Sequence, residues 1–243
     1  MNLKPLLAAG IIAATPFAAS ASTLIDDFTI FQTVTDIEQG GNGDFEQAGT
    51  IVDPGPPYEW DRRQLRANLL SGEGCIGPEG DEICKNVTAV IGGGDFVYES
   101  SPATESWVEV RYRYDDEEGY DLTSTGDAFA FVFDGVDTDQ EFGLLIRLRD
   151  GEDNASEFFF QDAIDDGQII ISFADILGDD ETDLTMLNRI DFQFTTRRVG
   201  TDSLDLEIKS ITTAIPLPAG VLLMGTALAG FGVMRRRQKR AAA

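Results

Sequence analysis

A two-residue hydrophobic period runs through the middle of this chain and restricts its fold more than any other feature. In "SWVEVRYRYD", Val108, Val110, Tyr112 and Tyr114 share one side of an extended strand, and Trp107, Glu109, Arg111 and Arg113 share the other. In "DAFAFVFD", Phe129, Phe131 and Phe133 share a side, while Ala128, Ala130 and Val132 make the reverse side apolar too. That is the pattern of a central strand covered on both faces. The runs "EFGLLIRLRD", "RIDFQFTTRR" and "SLDLEIKSI" repeat the alternation, with Leu144, Ile146 and Leu148, then Ile190, Phe192 and Phe194, then Leu204, Leu206 and Ile208 on the apolar side. Turn-forming stretches such as "DDEEGYD", "DGVDTD", "RDGEDN" and "GDDETD" separate them. Helical pattern is scarce; "SFADIL" offers one short turn. About ten short strands with loops between them predict an all-β fold, an antiparallel β-sandwich or jelly roll. "TLIDDFTIFQTV" reads as a strand of that same fold, and the Gly/Pro-rich stretch from Gln39 to Pro57 as a long loop.

The two ends follow different rules. "MNLKPLLAAGIIAATPFAASAS" has a positive start at Lys4, a short apolar run and an Ala19-x-Ala21 cleavage signature, the layout of a secretory signal peptide over residues 1–21 with Ser22 as first mature residue. At the other end, residues 219–234 are uncharged and mostly apolar. As a helix they would rise about 24 Å, slightly short of a bilayer core of about 30 Å, a gap that flanking arginines can bridge by snorkelling. Arg235, Arg236, Arg237, Lys239 and Arg240 in the basic tail 235–243 would hold that end in the cytoplasm. Pro216 and Pro218 favour an extended approach to the span. The sequence thus divides into 1–21, a body 22–213 and a tail 214–243.

Ile215-Pro216-Leu217-Pro218-Ala219, followed by a Gly-rich apolar segment and terminal arginines, resembles a PEP-CTERM sorting signal in its VPLPA variant, with Ile215 for the usual Val. The resemblance implies an exosortase substrate of a Gram-negative bacterium that makes extracellular polysaccharide. The inner membrane would be a transient anchor, with the body in the periplasm until a transpeptidase-like enzyme cuts near the Pro motif and the body passes to the cell surface or matrix. A plain, unprocessed membrane anchor is the alternative. The body in turn resembles a galactose-binding-like jelly roll in its opening "DDF" strand and its closing pair "LNRIDFQFTT" and "SLDLEIKSI". That resemblance implies glycan binding through loops at one end or through a concave face.

Charge and composition narrow the chemistry. Without the basic residues of the ends, 12 basic residues face 43 acidic ones, a balance of -31. Such a body repels phosphate backbones, so nucleic acid is not an expected partner, and it attracts cations. There is no His, which excludes Ser-His-Asp and Cys-His catalysis and any His-ligated metal. Glycosidase chemistry needs only two carboxylates, but no pair stands out.

Cys75 and Cys84 bracket a short Gly/Pro loop and, in an exported chain, are expected to form a disulfide. Asp134, Asp137, Asp139 and Glu141, and then Asp150, Glu152, Asp153 and Asn154, offer the oxygen-rich clusters that Ca²⁺ prefers. Neither has EF-hand spacing, and both suit ordinary solvated turns as well. Trp60, Trp107, Arg111, Arg113, Arg147 and Arg149 combine flat rings with hydrogen-bond donors and are the candidate glycan contacts; cross-strand ion pairing is the alternative for the arginines. The expectation is therefore an exported, non-catalytic β-sandwich associated with extracellular polysaccharide, with a jelly-roll lyase or glycosidase as the rival.

Overall fold

In a computed structural model the described residues are 23–36, 51–53, 58–71, 75–76, 83–84, 86–102, 104–115, 119–136, 141–163, 167–178, 180–196 and 204–214. The expected signal peptide with Ala19, Ala21 and Ser22, the expected sorting motif Ile215–Ala219, the apolar stretch 219–234 and the basic residues 235–240 lie outside them. Among the described residues no helix is long and apolar enough to cross a membrane.

The fold is an antiparallel β-sandwich. The strands are β1 (Leu24–Asp26), β2 (Gln32–Asp36), β3 (Ile51–Val52), β4 (Arg62–Ser71), β5 (Cys75–Ile76), β6 (Ile83–Cys84), β7 (Val87–Gly92), β8 (Asp95–Ser100), β9 (Glu105–Arg113), β10 (Ala128–Val136), β11 (Glu141–Asp150), β12 (Ala155–Ala163), β13 (Gly167–Ser172), β14 (Leu187–Thr195) and β15 (Asp205–Ala214). One sheet runs β13-β10-β15-β8-β7-β2, with β1 also on β15; the other runs β12-β11-β14-β9-β4-β3. From β8 onward the chain changes sheet at almost every strand. Sequence neighbours therefore face each other across the core, and pairing partners come from far along the chain.

The two inner faces meet through aromatic rings. Phe192 of β14 stands edge-on to Phe129 and Phe131 of β10, with centroids 5.1 and 5.2 Å apart. Phe96 meets Phe194 at 5.3 Å, and Phe133 meets Phe142 at 5.7 Å. β10 is a central strand as its pattern predicts: Phe129 and Phe131 are buried inward, and Ala128 and Ala130 are buried on the reverse side. In β15 the alternation breaks, because Val132 pairs Ser210 while Phe133 pairs Ile208. The extra residue of this bulge is Lys209, and both Ile208 and Ile211 stay buried.

The opening "DDF" segment ties the sheets together. Asp26 of β1 is fully buried. Its carboxylate accepts from Arg63 Nη1 of β4 at 2.6 Å, from Tyr112 Oη of β9 at 2.9 Å and from the Phe28 amide at 2.8 Å. Arg63, also fully buried, donates through Nε to Gln32 Oε1 at 2.6 Å and through Nη2 to the Ile30 carbonyl. A buried charge pair with this many donors and acceptors is matched inside the core rather than in water.

Smaller expectations divide. "SFADIL" forms the helix α1 (Phe173–Leu177), capped by Ser172 Oγ, which accepts from the Asp175 amide at 3.1 Å. Within the expected loop Gln39–Pro57, Ile51 and Val52 form the edge strand β3 on β4. β5 and β6 form a two-stranded ribbon of their own that places Cys75 directly opposite Cys84.

Candidate functional site

The outer face of the second sheet gathers the chain's arginines. Strand parity sends Leu65, Ala67 and Leu69 of β4 inward, so Arg62, Gln64, Arg66 and Asn68 point outward. The same rule turns Trp107, Glu109, Arg111 and Arg113 of β9 outward, with Arg189, Asp191 and Gln193 of β14 and Leu145, Arg147 and Arg149 of β11. Register then arranges them in rows across the strands. The first row is Arg62–Arg113–Arg189–Arg149; the second is Gln64–Arg111–Asp191–Arg147–Glu157; the third is Arg66–Glu109–Gln193–Leu145–Phe159; the fourth is Asn68–Trp107–Thr195–Gly143. Seven of the ten arginines in residues 22–213 stand on this one face.

Two buried carboxylates organise the middle rows. Glu109, 2% exposed, accepts from Arg66 Nη1 at 2.9 Å and Arg111 Nη2 at 2.8 Å, and Arg147 Nη1 lies 3.5 Å away. Asp191, fully buried, accepts from Arg111 Nε at 2.9 Å and from Arg189 through Nε at 2.8 Å and through Nη2. Arg147 also donates to Glu157 at 2.7 Å and to Gln193 Oε1 at 3.1 Å. Burial pulls the Arg111 guanidinium down against the raising effect of Asp191 and Glu109, yet a guanidinium stays a cation. For Arg189 burial acts the same way, and the bonds to Asp191 outweigh it and raise the group. Each carboxylate here is held by at least two guanidiniums, so neither is free to accept or deliver a proton in general acid–base work.

The first row is different. Arg62 pairs with Asp115 and Arg149 lies 3.6 Å from the exposed Asp153, while the side chain of the exposed Arg113 makes no hydrogen bond or ion pair among the described residues. A cavity of about 410 Å³ opens on this row, walled by Arg113, Arg149, Arg189, Asn188, Asp115 and Asp153. A second cavity of about 210 Å³ lies between Arg113, Arg62, Gln64 and Ile51.

The other candidate residues fall elsewhere. Trp60 is a core residue, not a surface platform: it is 3% exposed, donates its indole N–H to the Ile25 carbonyl at 2.7 Å and packs edge-on against Tyr112. A ring with both faces covered cannot stack on a sugar. Trp107 does lie on the outer face, 7% exposed, with the Arg66 guanidinium 5.6 Å from its ring centroid.

Among the described residues no group of three or more metal-type ligands occurs. Asp150 is a turn holder. Its Oδ1 accepts from the amides of Glu152 and Asn154, and its Oδ2 from Asn154 Nδ2 and the Asp183 amide, all at 2.9–3.0 Å. Burial alone would raise its carboxyl; the amides of Asp183 and Asn154 hold it below the ordinary value. Asp153 faces Arg149, and Asp134 lies 3.1 Å from Lys209 Nζ, which Asp95 and Glu207 also bind. Asp137 and Asp139 lie outside the described residues, as does the side chain of Glu141.

Sequence reading missed Arg62, Gln64, Arg66, Asn68 and Arg189. The signal was present in the alternation of "RRQLRANLL" and "LNRIDFQFT", but only strand order brings those residues beside β9.

No protein-family model and no curated protein matches the sequence. Solved structures resemble the fold loosely. An agarase is 10% identical over 81% of this chain with a TM-score of 0.40, and this chain spans 25% of the agarase's length. A family 11 carbohydrate-binding module from Clostridium thermocellum, solved with a β-1,3-1,4-mixed-linked tetrasaccharide, is 13% identical over 82% of this chain and 99% of its own, with a TM-score of 0.37. A carbohydrate-binding module of the β-sandwich superfamily is 10% identical over 71% of this chain and 62% of its own, at 0.32. Likenesses this loose carry no argument about function, which rests on the site itself.

Proposed function

We propose that this chain is an exported, non-catalytic module that associates with extracellular polysaccharide through the outer face of its second sheet. The observation that carries the reading is the concentration of seven arginines, with the amide side chain of Gln193 among them, on one four-strand face of an otherwise acidic body. Planar donors set in a fixed lattice match the hydroxyls of a sugar chain. The carboxylates on that face are bound by arginines, which favours recognition over hydrolysis. Export by a signal peptide at residues 1–21 and sorting by an exosortase at Ile215–Ala219 would deliver the face to the cell surface or matrix. A Cys75–Cys84 disulfide would fit such a compartment, and the facing positions on β5 and β6 suit one.

The test is affinity electrophoresis of the purified chain in gels containing the host's own extracellular polysaccharide, alongside reducing-end release from it. Retardation without release is expected. Release of reducing ends would replace the reading with the enzymatic one, and neither retardation nor release would end it. For sorting, the intact mass of the protein from its host should lack residues 1–21 and the segment beyond the Pro motif; a full-length tail in the inner membrane would refute that part.

A further inference from the structure

The first arginine row asks for a narrower ligand than a polysaccharide in general. Neighbouring strands lie about 4.8 Å apart, so Arg62, Arg113, Arg189 and Arg149 place four guanidiniums along about 14 Å. Like charges directly opposite each other destabilise a sheet unless counter-charge is supplied. The chain supplies it incompletely. Asp191, which pairs with Arg189, is shared with Arg111. Asp153 reaches Arg149 only at 3.6 Å and is 86% exposed, and the Arg113 guanidinium has no partner among the described residues. The 410 Å³ cavity opens at this place, and Arg113 also borders the smaller one. Among the described residues the seven arginines of this face exceed the five carboxylates in the ion pairs found there, Glu109, Asp191, Glu157, Asp115 and Asp153.

We propose that the row is an anion subsite in which Arg113, Arg149 and Arg189 bind the negatively charged groups of an acidic polysaccharide. The inference rests on the glycan-binding reading above and adds the ligand's class. A guanidinium fork matches a carboxylate or sulfate in a bidentate way, and a polymer with recurring charges meets successive arginines along the row. The rest of the body, strongly negative, opposes a polyanion at long range. At physiological ionic strength the Debye length is about 8 Å, so the remote carboxylates are screened while the row acts at contact. Binding should therefore pass through a maximum with salt: weak at very low ionic strength, strongest near physiological, and lost at high salt.

The experiment is affinity electrophoresis and calorimetry of the purified chain against alginate, neutral dextran and inorganic phosphate. EDTA is present throughout, so that cation bridging between two acidic partners cannot contribute. Expected is alginate binding with the salt maximum, no binding of phosphate alone, and a loss of at least about tenfold in Arg113→Gln and again in Arg149→Gln. Both side chains are solvent-facing, so both variants should keep the wild-type urea midpoint, which is measured alongside. Equal binding of dextran and alginate, unchanged in Arg113→Gln, would overturn the subsite and leave the glycan face standing. Binding of phosphate but of neither alginate nor dextran would overturn the proposal in favour of a small-anion site. Binding of none of the three would overturn the subsite, while the host polysaccharide gel separately decides the broader reading.

Discussion

Replacing Asp26 with Asn keeps the volume of the side chain and removes its charge, and the structure says what that does. The Asp26 carboxylate is the only negative group that the structure places on Arg63 among the described residues, at 2.6 Å, and both side chains are wholly buried. Arg63 keeps the Gln32 and Ile30 acceptors in the variant but loses its counter-ion. The Tyr112 hydroxyl, at 2.9 Å, must share an amide where it had a carboxylate. Removing one partner of a buried ion pair costs roughly 3–5 kcal/mol, because the remaining charge is uncompensated in a medium that solvates it poorly. Against a domain stability of about 5–15 kcal/mol that is a large fraction. Urea denaturation followed by tryptophan fluorescence suits the measurement, since Trp60 sits beside the pair with its ring centroid 5.4 Å from the Arg63 guanidinium. The double variant Asp26→Asn, Arg63→Met removes both charges and should recover much of the loss. A loss below about 1 kcal/mol in Asp26→Asn, or a double variant as unstable as the sum of the two single ones, would refute the view that this pair is electrostatically coupled in the core.

Three further outcomes follow from other parts of the fold. Gly119 has φ +67°, and a Cβ there would stand 2.6 Å from the Met186 carbonyl carbon; Gly119→Ala should cost at least about 1–3 kcal/mol in thermal unfolding. The Asp150 carboxyl is held below the ordinary value of 3.8, so its contribution is present above that pH and is lost as pH falls through its folded value. Asp150→Asn should thus be less stable than wild type by about 1–3 kcal/mol at pH 7, with the gap closing in urea titrations below about pH 4; a gap independent of pH would contradict the turn-holding role. Oxidised Cys75 and Cys84 would close a ten-residue loop, worth about 2.7 kcal/mol in the chain-entropy account, and alkylation mass spectrometry without reductant should find neither thiol free.

The parts of this protein legible in the sequence are those that depend on one strand at a time. Alternation between two faces is a local property of extended backbone, so Val108, Val110 and Tyr112 could be read as inward and Arg111 and Arg113 as outward without knowing any neighbour. Two apolar faces on "DAFAFVFD" likewise required a central strand. What a single strand cannot reveal is the identity of the strand beside it. The arginines of β9 and β11 become a row only because β4 and β14 join them, from about 50 residues before β9 and 80 after it in the pairs Gln64–Arg111 and Asp191–Arg111. Trp60 was a candidate contact as a flat ring among hydrogen-bond donors, and it was packing against Ile25 of β1 and Tyr112 of β9 that covered it. Asp150 looked like a metal ligand because acidic turns resemble one another, and its four hydrogen bonds, one of them to the amide of Asp183, decided otherwise. Burial and pairing are set by free energy summed over the whole chain, whereas strand character is set residue by residue. The sequence by itself therefore determined the all-β sandwich and the outward direction of Arg111, Arg113, Arg147 and Arg149, and only the tertiary structure decided which side chains they meet.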